Sequence, residues 1–452
     1  MSNRKEEKYL SEINELKAEI YTIKKSISWK ITAPLRCIKK YLNYLVKKIS
    51  NLKFLLEKKG LKYTLIYIFK RIKKNLSPKP NYGVHLNRIL DKHASKKIII
   101  FKPVVDWNIP LLQRPQHIAI NLAREGFLYF YCTPGVYDDV SGFDEIERGL
   151  YLTDQFDLLM DLKCKKIIHL YAGDSMLHID FVEKQLEKNN IILYEYIDEI
   201  HEDIAGRSID AKLIHRHENI IKNEEIICIV SADKLLNDVE KYRSKNLLLV
   251  TNGVEVEHFE KYQNKLPEPP KEIVEIVALK NPIIGYYGAL AKWVDYELII
   301  NLAKSRPNYQ ILLIGWNYDN SVEDYHLENF SNIKVVGPIN YSLLPEFAAF
   351  FSVSIIPFSV NDVTKSTSPV KLFEYMALGK PIVTTEMPEC MKYESSLIAK
   401  SHDEFINLVD IALKSKTVDF NYTSKLKLEA KENSWTEKSR KIKSILNIKA
   451  DQ

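Results

Sequence analysis

A series of short, continuous apolar runs constrains this chain more than any other feature. Lys97-Ile-Ile-Ile-Phe101 is the first, and a run apolar throughout reads as a strand buried on both faces. Phe127 to Cys132, Lys166 to Tyr171, Ile191 to Tyr196, Ile226 to Val230 and Leu247 to Val250 repeat it. Helical stretches lie between them, among them Gln116 to Arg124, Phe181 to Lys188 and Ala211 to Asn223. Strands that alternate with helices predict a doubly wound parallel sheet. The linker Lys265-Leu-Pro-Glu-Pro-Pro-Lys271 breaks the series, which then restarts. Pro282 to Gly285, a helix from Asp295 to Ala303, Gln310 to Gly315, Lys334 to Gly337, Val353 to Ile356 and Pro381 to Thr384 follow. The expected fold class is α/β, with two Rossmann-like doubly wound domains over residues 95–265 and 275–432 and a charged helix over 433–452.

Composition excludes the competing classes. Of 452 residues, 46% are hydrophobic and 27% charged, which rules out a disordered chain and a polytopic membrane protein. No run reaches the roughly 18 uncharged apolar residues that a spanning helix needs, and no signal-peptide core is visible at the start. Cys37, Cys132, Cys164, Cys228 and Cys390 lie far apart, a pattern read as reduced thiols of a cytoplasmic protein rather than a disulfide or zinc framework.

The net charge of +6 conceals an asymmetry. From Lys24 to Lys79 there are 17 Lys or Arg against one acid, Glu57, a local charge of +16, so the rest of the chain carries −10. Residues 1–80 therefore form a helical, basic extension ahead of an acidic body. Within it, Leu10, Ile13, Leu16, Ile20 and Ile23 recur at heptad-like steps. Residues 6–27 read as a short coiled coil that would pair two copies of the chain, or as an ordinary amphipathic helix. Over 24–79, lysines flank Trp29, Tyr41, Tyr44, Phe54, Tyr67 and Phe69. That suits a helix lying on an anionic membrane surface, with a protein partner as the alternative. Large aliphatic faces and the lack of a recognition motif argue against nucleic acid.

Ligands of open α/β sheets sit beyond the carboxyl ends of the strands. There the second sheet has Ile284-Gly-Tyr-Tyr-Gly288, whose bare backbone at Gly288 could approach a phosphate, with Lys292 adding charge. The alternative is a simple strand-to-helix turn. Further on, Ser366 to Pro369 reads as a loop capping a helix that starts near Val370 and ends at Gly379. Lys371 and Glu374 share one face of that helix. The lysine could offset phosphate charge and the carboxylate could accept sugar hydroxyls; otherwise they are a solvated pair worth a few tenths of a kcal/mol.

In the first sheet, the strand ending Tyr194-Glu-Tyr-Ile-Asp198 runs on to His201. A strand-end carboxylate is well placed to act as a general base toward an acceptor hydroxyl. Asp198 is the candidate, His201 the second, with Glu218 supporting the same cleft. Asp106-Trp-Asn-Ile-Pro-Leu-Leu-Gln-Arg-Pro-Gln-His117 follows the first strand. Arg114 and His117 near a helix start would face the cleft, or else cap the helix and pack. No Asp-x-Asp in strand context and no His cluster occurs, so no metal is expected. An anion bound at the second sheet would rely on a helix dipole and a lysine.

Ser368-Pro-Val-Lys-Leu-Phe-Glu-Tyr-Met-Ala-Leu-Gly-Lys-Pro-Ile-Val383 resembles the donor-binding segment of GT-B glycosyltransferases, above all glycosyltransferase family 4. Val250-Thr-Asn-Gly-Val-Glu-Val-Glu-His-Phe259 is similar to the segment closing their N-terminal domain, and Gly285-Tyr-Tyr-Gly288 to their first donor-domain loop. The resemblance spans about residues 97 to 445. It implies that Glu374 binds the ribose, that the backbone of Ser368, Pro369, Val370 and Lys371 faces the diphosphate, and that Pro338 to Asn340, with Ile339, lies by the base. Two positions depart. The family commonly has Glu, seven residues, then Glu, and the first falls on Ser366; the basic residue after the first loop's glycine is Ala289, with Lys292 as nearest substitute.

The segment with Asp106, Trp107, Gln113, Arg114 and His117 is similar to one in a bacterial subgroup of teichuronic acid and surface-polysaccharide glycosyltransferases. It implies an acceptor-side cleft there. The subgroup shows a similar Tyr-x-x-x-Asp-Glu element. Ser28-Trp-Lys-Ile-Thr-Ala-Pro-Leu-Arg36 resembles an element ahead of many such enzymes. The function expected is transfer from a nucleotide sugar, UDP- or GDP-linked, with no further cofactor, to a hydroxyl of an envelope glycan or lipid-linked saccharide at the inner face of the membrane. A nucleotide-sugar epimerase of the same fold and a non-catalytic assembly scaffold are the alternatives.

Overall fold

The computed structural model describes residues 81–451 apart from 104, 110–111, 136–137, 173–178, 203–208, 264 and 416–419. The expectations for residues 1–80, the heptad stripe of 6–27 and the basic run of 24–79 lie outside the described residues. Residues 82–452 form one compact unit, built on two sheets.

The first sheet contains β1 (Ile98–Phe101), β2 (Leu128–Cys132), β3 (Phe143–Glu147), β4 (Leu150–Thr153), β5 (Ile167–Tyr171), β6 (Ile191–Tyr196), β7 (Ile227–Val230) and β8 (Leu247–Leu249). The second contains β9 (Ile283–Tyr287), β10 (Gln310–Ile314), β11 (Ile333–Val336), β12 (Val353–Ile356), β13 (Ile382–Thr385) and β14 (Ser396–Ala399). Their orders are β3-β4-β2-β1-β5-β6-β7-β8 and β11-β10-β9-β12-β13-β14. Every pairing is parallel except that of β3 with β4. The second order is the doubly wound one, reversing between β9 and β12, and the first reverses between β1 and β5. Those reversals open the crevices in which such sheets hold ligands.

The principal helices are α1 (Tyr82–Lys92), α2 (Arg114–Arg124), α3 (Ile179–Glu187), α4 (Ala211–Lys222), α5 (Asp233–Glu240), α6 (Val256–Glu260), α7 (Tyr296–Ser305), α8 (Val370–Leu378), α9 (His402–Ser415), α10 (Phe420–Glu432) and α11 (Trp435–Asp451). The alternation of side chains along a strand divides the first sheet into two cores. Ile98, Ile100, Phe130 and Ile192 pack with Leu86 and Ile89 of α1, so this core reaches back to Tyr82 rather than to residue 95. On the other face, Ile99, Phe101, Tyr129 and Leu193 pack with Ile118 and Leu122 of α2 and with Trp435, Ile442 and Leu446 of α11. The terminal helix thus leaves the second domain and completes the first.

Three strands are not announced by apolar runs. β3, Phe-Asp-Glu-Ile-Glu, exposes its charges at the sheet margin, where charge discourages unwanted pairing. β4 follows it in a hairpin, and β14 is a half-buried edge. No helix of the described residues is long and apolar enough to cross a membrane.

The chain crosses between domains twice, and the crossings touch. Val254 donates to the Asn433 carbonyl and Trp435 to the Val254 carbonyl, while a Cβ on Gly253 would sit 2.6 Å from the Asn433 oxygen. Trp435 is 1% exposed and stacks on His117 at 4.9 Å. Trp435→Ala is expected to lower the unfolding free energy by about 3–5 kcal/mol, with Trp435→Phe keeping most of it. Denaturant titration of both variants checks this.

Candidate active site

The second sheet offers an anion cradle at its switch point. Gly288 ends β9 with φ +140° and Gly315 ends β10 with φ +156°. A Cβ on Gly315 would lie 1.7 Å from the Gly288 carbonyl oxygen, and one on Gly288 would lie 2.9 Å from Cε of Lys371. Side chains are thereby excluded from both strand ends, and a lysine closes the space below. Its ammonium rests over the rings of Phe358 at 4.6 Å and Tyr286 at 5.3 Å. Burial pulls Lys371 below the usual lysine range, against the pull of Glu374. Glu374 is 4% exposed. Burial pushes its carboxyl up, opposed by the Tyr287 hydroxyl and by Lys371. Pro369 precedes α8 and no side chain caps the helix, so its first-turn N–H groups and positive end point at the same crevice.

Lys292 does not take part in this cradle. It is exposed, and its backbone N–H bonds Asp319 Oδ2 at 3.0 Å on the loop after β10. The cation at Gly288 is Lys371 instead, because α8 enters under the strand end. Ile339 lies half-buried in the loop after β11, packed on the second core, with Pro338 and Asn340 exposed beside it.

Beneath the first-domain crevice lies a charge network that the sequence reading missed. Arg114, 3% exposed, grips the fully buried Glu195 of β6 through two bonds, Nε to Oε2 at 3.2 Å and Nη2 to Oε1 at 3.1 Å. Burial works to raise Glu195, but Arg114 and His169 override it and hold the carboxyl well below the usual range. His169 Nε2 lies 3.6 Å from Glu195 Oε2, and its Nδ1 shares a 2.7 Å bond with the Tyr129 hydroxyl. The free edge of Arg114 then reaches the first interdomain crossing, donating to Thr251 O at 3.1 Å and Asn252 Oδ1 at 3.2 Å. Asn252 in turn donates to Ser368 O at 2.6 Å and, through its backbone N–H, to Ser368 Oγ at 3.3 Å. A continuous chain of polar contacts runs from the first sheet's floor to the start of α8.

Arg114 and His117, expected to face the cleft or else to cap the helix and pack, are both buried. All of Arg114's bonding capacity described above is spent inside the protein. His117 is fully buried between Trp435, Tyr341 and Glu255, and burial lowers its basicity. Gln113 is exposed and exchanges a capping box with Gln116. Asp106, 4% exposed, accepts from Thr133 Oγ1 at 2.8 Å and from the Gly135 N–H at 2.9 Å. Trp107 is half-buried, edge-on to Tyr131, with its N–H held by Asp138 at 2.7 Å.

Asp198 keeps part of its surface accessible, yet the surrounding protein pushes its carboxyl up to about 6, with Arg114 opposing. His201 is exposed. Glu218 is exposed on α4 and does not turn toward the sheet. Its neighbours do: Arg216 donates to the Tyr171 and Ala172 carbonyls and His217 bonds the Tyr194 hydroxyl.

Comparison with known proteins fits this geometry. Residues 271–442 match the family described as Glycosyl transferases group 1. The chain is 26% identical over 218 residues to the "Putative teichuronic acid biosynthesis glycosyltransferase TuaH" of Bacillus subtilis (strain 168), covering 46% of this chain and 53% of the relative. The chain thus spans about half the length of that curated relative. Among solved structures, sucrose-phosphate synthase of Thermosynechococcus elongatus superposes with a TM-score of 0.59 at 14% identity, covering 78% of this chain and 98% of that one. HepE of Anabaena, in complex with UDP-glucose, gives 0.56 at 11% identity, covering 77% and 99%. The fold is GT-B.

Glu195→Gln is expected to leave Arg114 buried and uncompensated, a loss of about 3–5 kcal/mol. Because the folded-state carboxyl is depressed below its ordinary value of 4.5, the wild-type contribution is complete above that value and is lost as pH falls beneath it. Melting temperatures of the two proteins should therefore differ at pH 7, with the gap narrowing progressively as pH falls below 4.5.

Proposed function

Because residues 271–442 match the model of the group 1 glycosyl transferases, we propose that the chain moves a sugar from a nucleotide-sugar donor to a hydroxyl of a bacterial envelope glycan or a lipid-linked saccharide. The observation that carries this reading is the cradle of Gly288 and Gly315 over Lys371, beside the uncapped start of α8 and the buried Glu374. A nucleoside diphosphate suits it: the phosphates meet N–H groups, helix dipole and ammonium, and Glu374 accepts from the ribose hydroxyls.

In the step we propose, the acceptor oxygen forms a bond to the donor's anomeric carbon while the bond from that carbon to the phosphate oxygen breaks. The leaving nucleoside diphosphate keeps the electron pair, stabilised by Lys371 and the α8 N-terminus. The acceptor's proton passes to the Asp198 carboxylate, whose raised pKa suits a base working near neutral pH. No resident metal enters the scheme. An epimerase would need no separate acceptor, and incubation of donor alone separates that reaction from transfer. We also propose that residues 24–79, 17 cations against one acid, dock on the anionic inner face of the membrane, and that residues 6–27 pair two copies.

A nucleotide that binds only the folded protein raises its melting temperature. Among UDP, GDP, ADP and CMP, one is expected to give a clear shift that Glu374→Ala abolishes. No shift with any of them would favour the scaffold reading.

The pH dependence tests the base. Below about pH 6 Asp198 is protonated and cannot accept a proton, so kcat/KM should fall on the acid side with a midpoint near that value. Asp198→Asn should lower the rate roughly 10²–10⁴-fold and remove that acid limb while leaving the nucleotide-induced melting shift in place.

A further inference from the structure

The spaced carboxylate pair of the donor segment is incomplete in this chain, since Ser366 stands eight residues before Glu374. The structure brings a carboxylate to the same place from the other domain. Glu199 follows β6, and its Oε2 lies 3.5 Å from Oγ of Ser366. Ser366 is fully buried, so a longer side chain there would have to displace its neighbours, Glu199 among them. We propose that Glu199, carried by the first domain, receives hydroxyls of the donor sugar whose nucleotide is held by the second. This rests on the donor site proposed above and adds a residue that completes it only when both domains are in place.

Three observations support the assignment. Lys234 at the start of α5 donates to Glu199 Oε2 at 2.7 Å and to the Asp362 carbonyl at 3.0 Å, which fixes the carboxylate against the loop leading to α8. Among the described residues the hydrogen bonds from Lys234 and Ser366 to Glu199 both fall on Oε2, so Oε1 keeps acceptor capacity there, and the side chain is 31% exposed. Glu199 is also adjacent in sequence to Asp198, so both carboxylates leave the same strand end, after β6. Clamping the domains is the competing role for the Lys234 pair, but another set of groups already serves it. The Asp233 N–H donates to Glu389 Oε1 at 2.9 Å, and Lys392 bridges Asp233 at 2.8 Å and Glu389 at 2.7 Å.

The test compares a nucleoside diphosphate with its sugar conjugate on the full chain, using calorimetric titration with UDP against UDP-glucose and GDP against GDP-mannose. The wild type is measured first. If it binds none of the four, the donor site itself fails, and this assignment with it. Where it binds, Glu199→Gln is expected to leave the diphosphate affinity within twofold and to weaken the sugar conjugate about tenfold, or about 1.4 kcal/mol. Lys234→Met, which breaks the pair but keeps the carboxylate, should weaken the conjugate less than Glu199→Gln does. Equal weakening of diphosphate and conjugate in both variants would show a domain clamp and overturn the assignment. So would a Glu199→Gln protein that binds the conjugate as the wild type does.

Discussion

The arrangement of the two domains depends on one buried ion pair. Arg114 and Glu195 sit between the first sheet and α2, nearly free of solvent, where taking two charges out of water costs several kcal/mol per ion. A pair in that position is tolerable only if every remaining lone pair and proton is matched. Here the fork of Arg114 meets both carboxylate oxygens, His169 approaches the far side, and the leftover guanidinium edge finds Thr251 and Asn252. Net stability is a weak reason for such a pair, since apolar residues of the same shape often do as well. What it supplies is position. Asn252 is held by Arg114 on one side and holds Ser368 on the other, so the start of the donor helix is registered against the floor of the opposite sheet.

Around that pair the interdomain region is assembled from groups that would each be costly if displaced. Lys438 of α11 is buried and donates to Thr251 Oγ1 and Asn433 Oδ1, both at 2.7 Å, joining the two crossings. Burial lowers its ammonium to about 7. His117 sits under Trp435 with burial lowering its basicity as well. The crossings themselves run in contact at Gly253, where no side chain fits.

Much of this was legible in the sequence, and the exceptions have physical causes. Buried parallel strands are apolar on both faces, so β1, β6 and β12 could be read directly as runs. β3 and β14 could not, because an edge strand has a solvated side that carries no such pattern. Glu195 was passed over for a related reason. It occupies an inward position of β6, in phase with Ile191 and Leu193, and a lone acid in an otherwise apolar central strand is itself a signal that a buried cation must face it. Arg114 was noticed but given to the cleft, because sequence spacing says nothing of which way a helix rotates its first turn. The same limit applies to the donor lysine. Helical spacing put Lys371 and Glu374 on one face, but only the glycine-to-glycine approach of β9 and β10 shows that Lys371 lies against Gly288.

Charge is divided across the crevice in a way that would give a nucleotide sugar, held as proposed, one orientation. The second domain contributes backbone N–H groups, the positive end of α8 and Lys371, a field that favours an anion. The first contributes the carboxylates after β6, Asp198, proposed above as the base, and Glu199, paired with Lys234 and proposed to accept from sugar hydroxyls. Reversing the ligand would set phosphates against carboxylates and leave Lys371 facing neutral hydroxyls, losing favourable terms on both sides. The proposed diphosphate therefore belongs to the second domain and the sugar to the boundary, with the bond that breaks lying between them. A single buried pair deep in the first sheet, by registering Asn252 against Ser368, fixes the distance over which those opposite fields act.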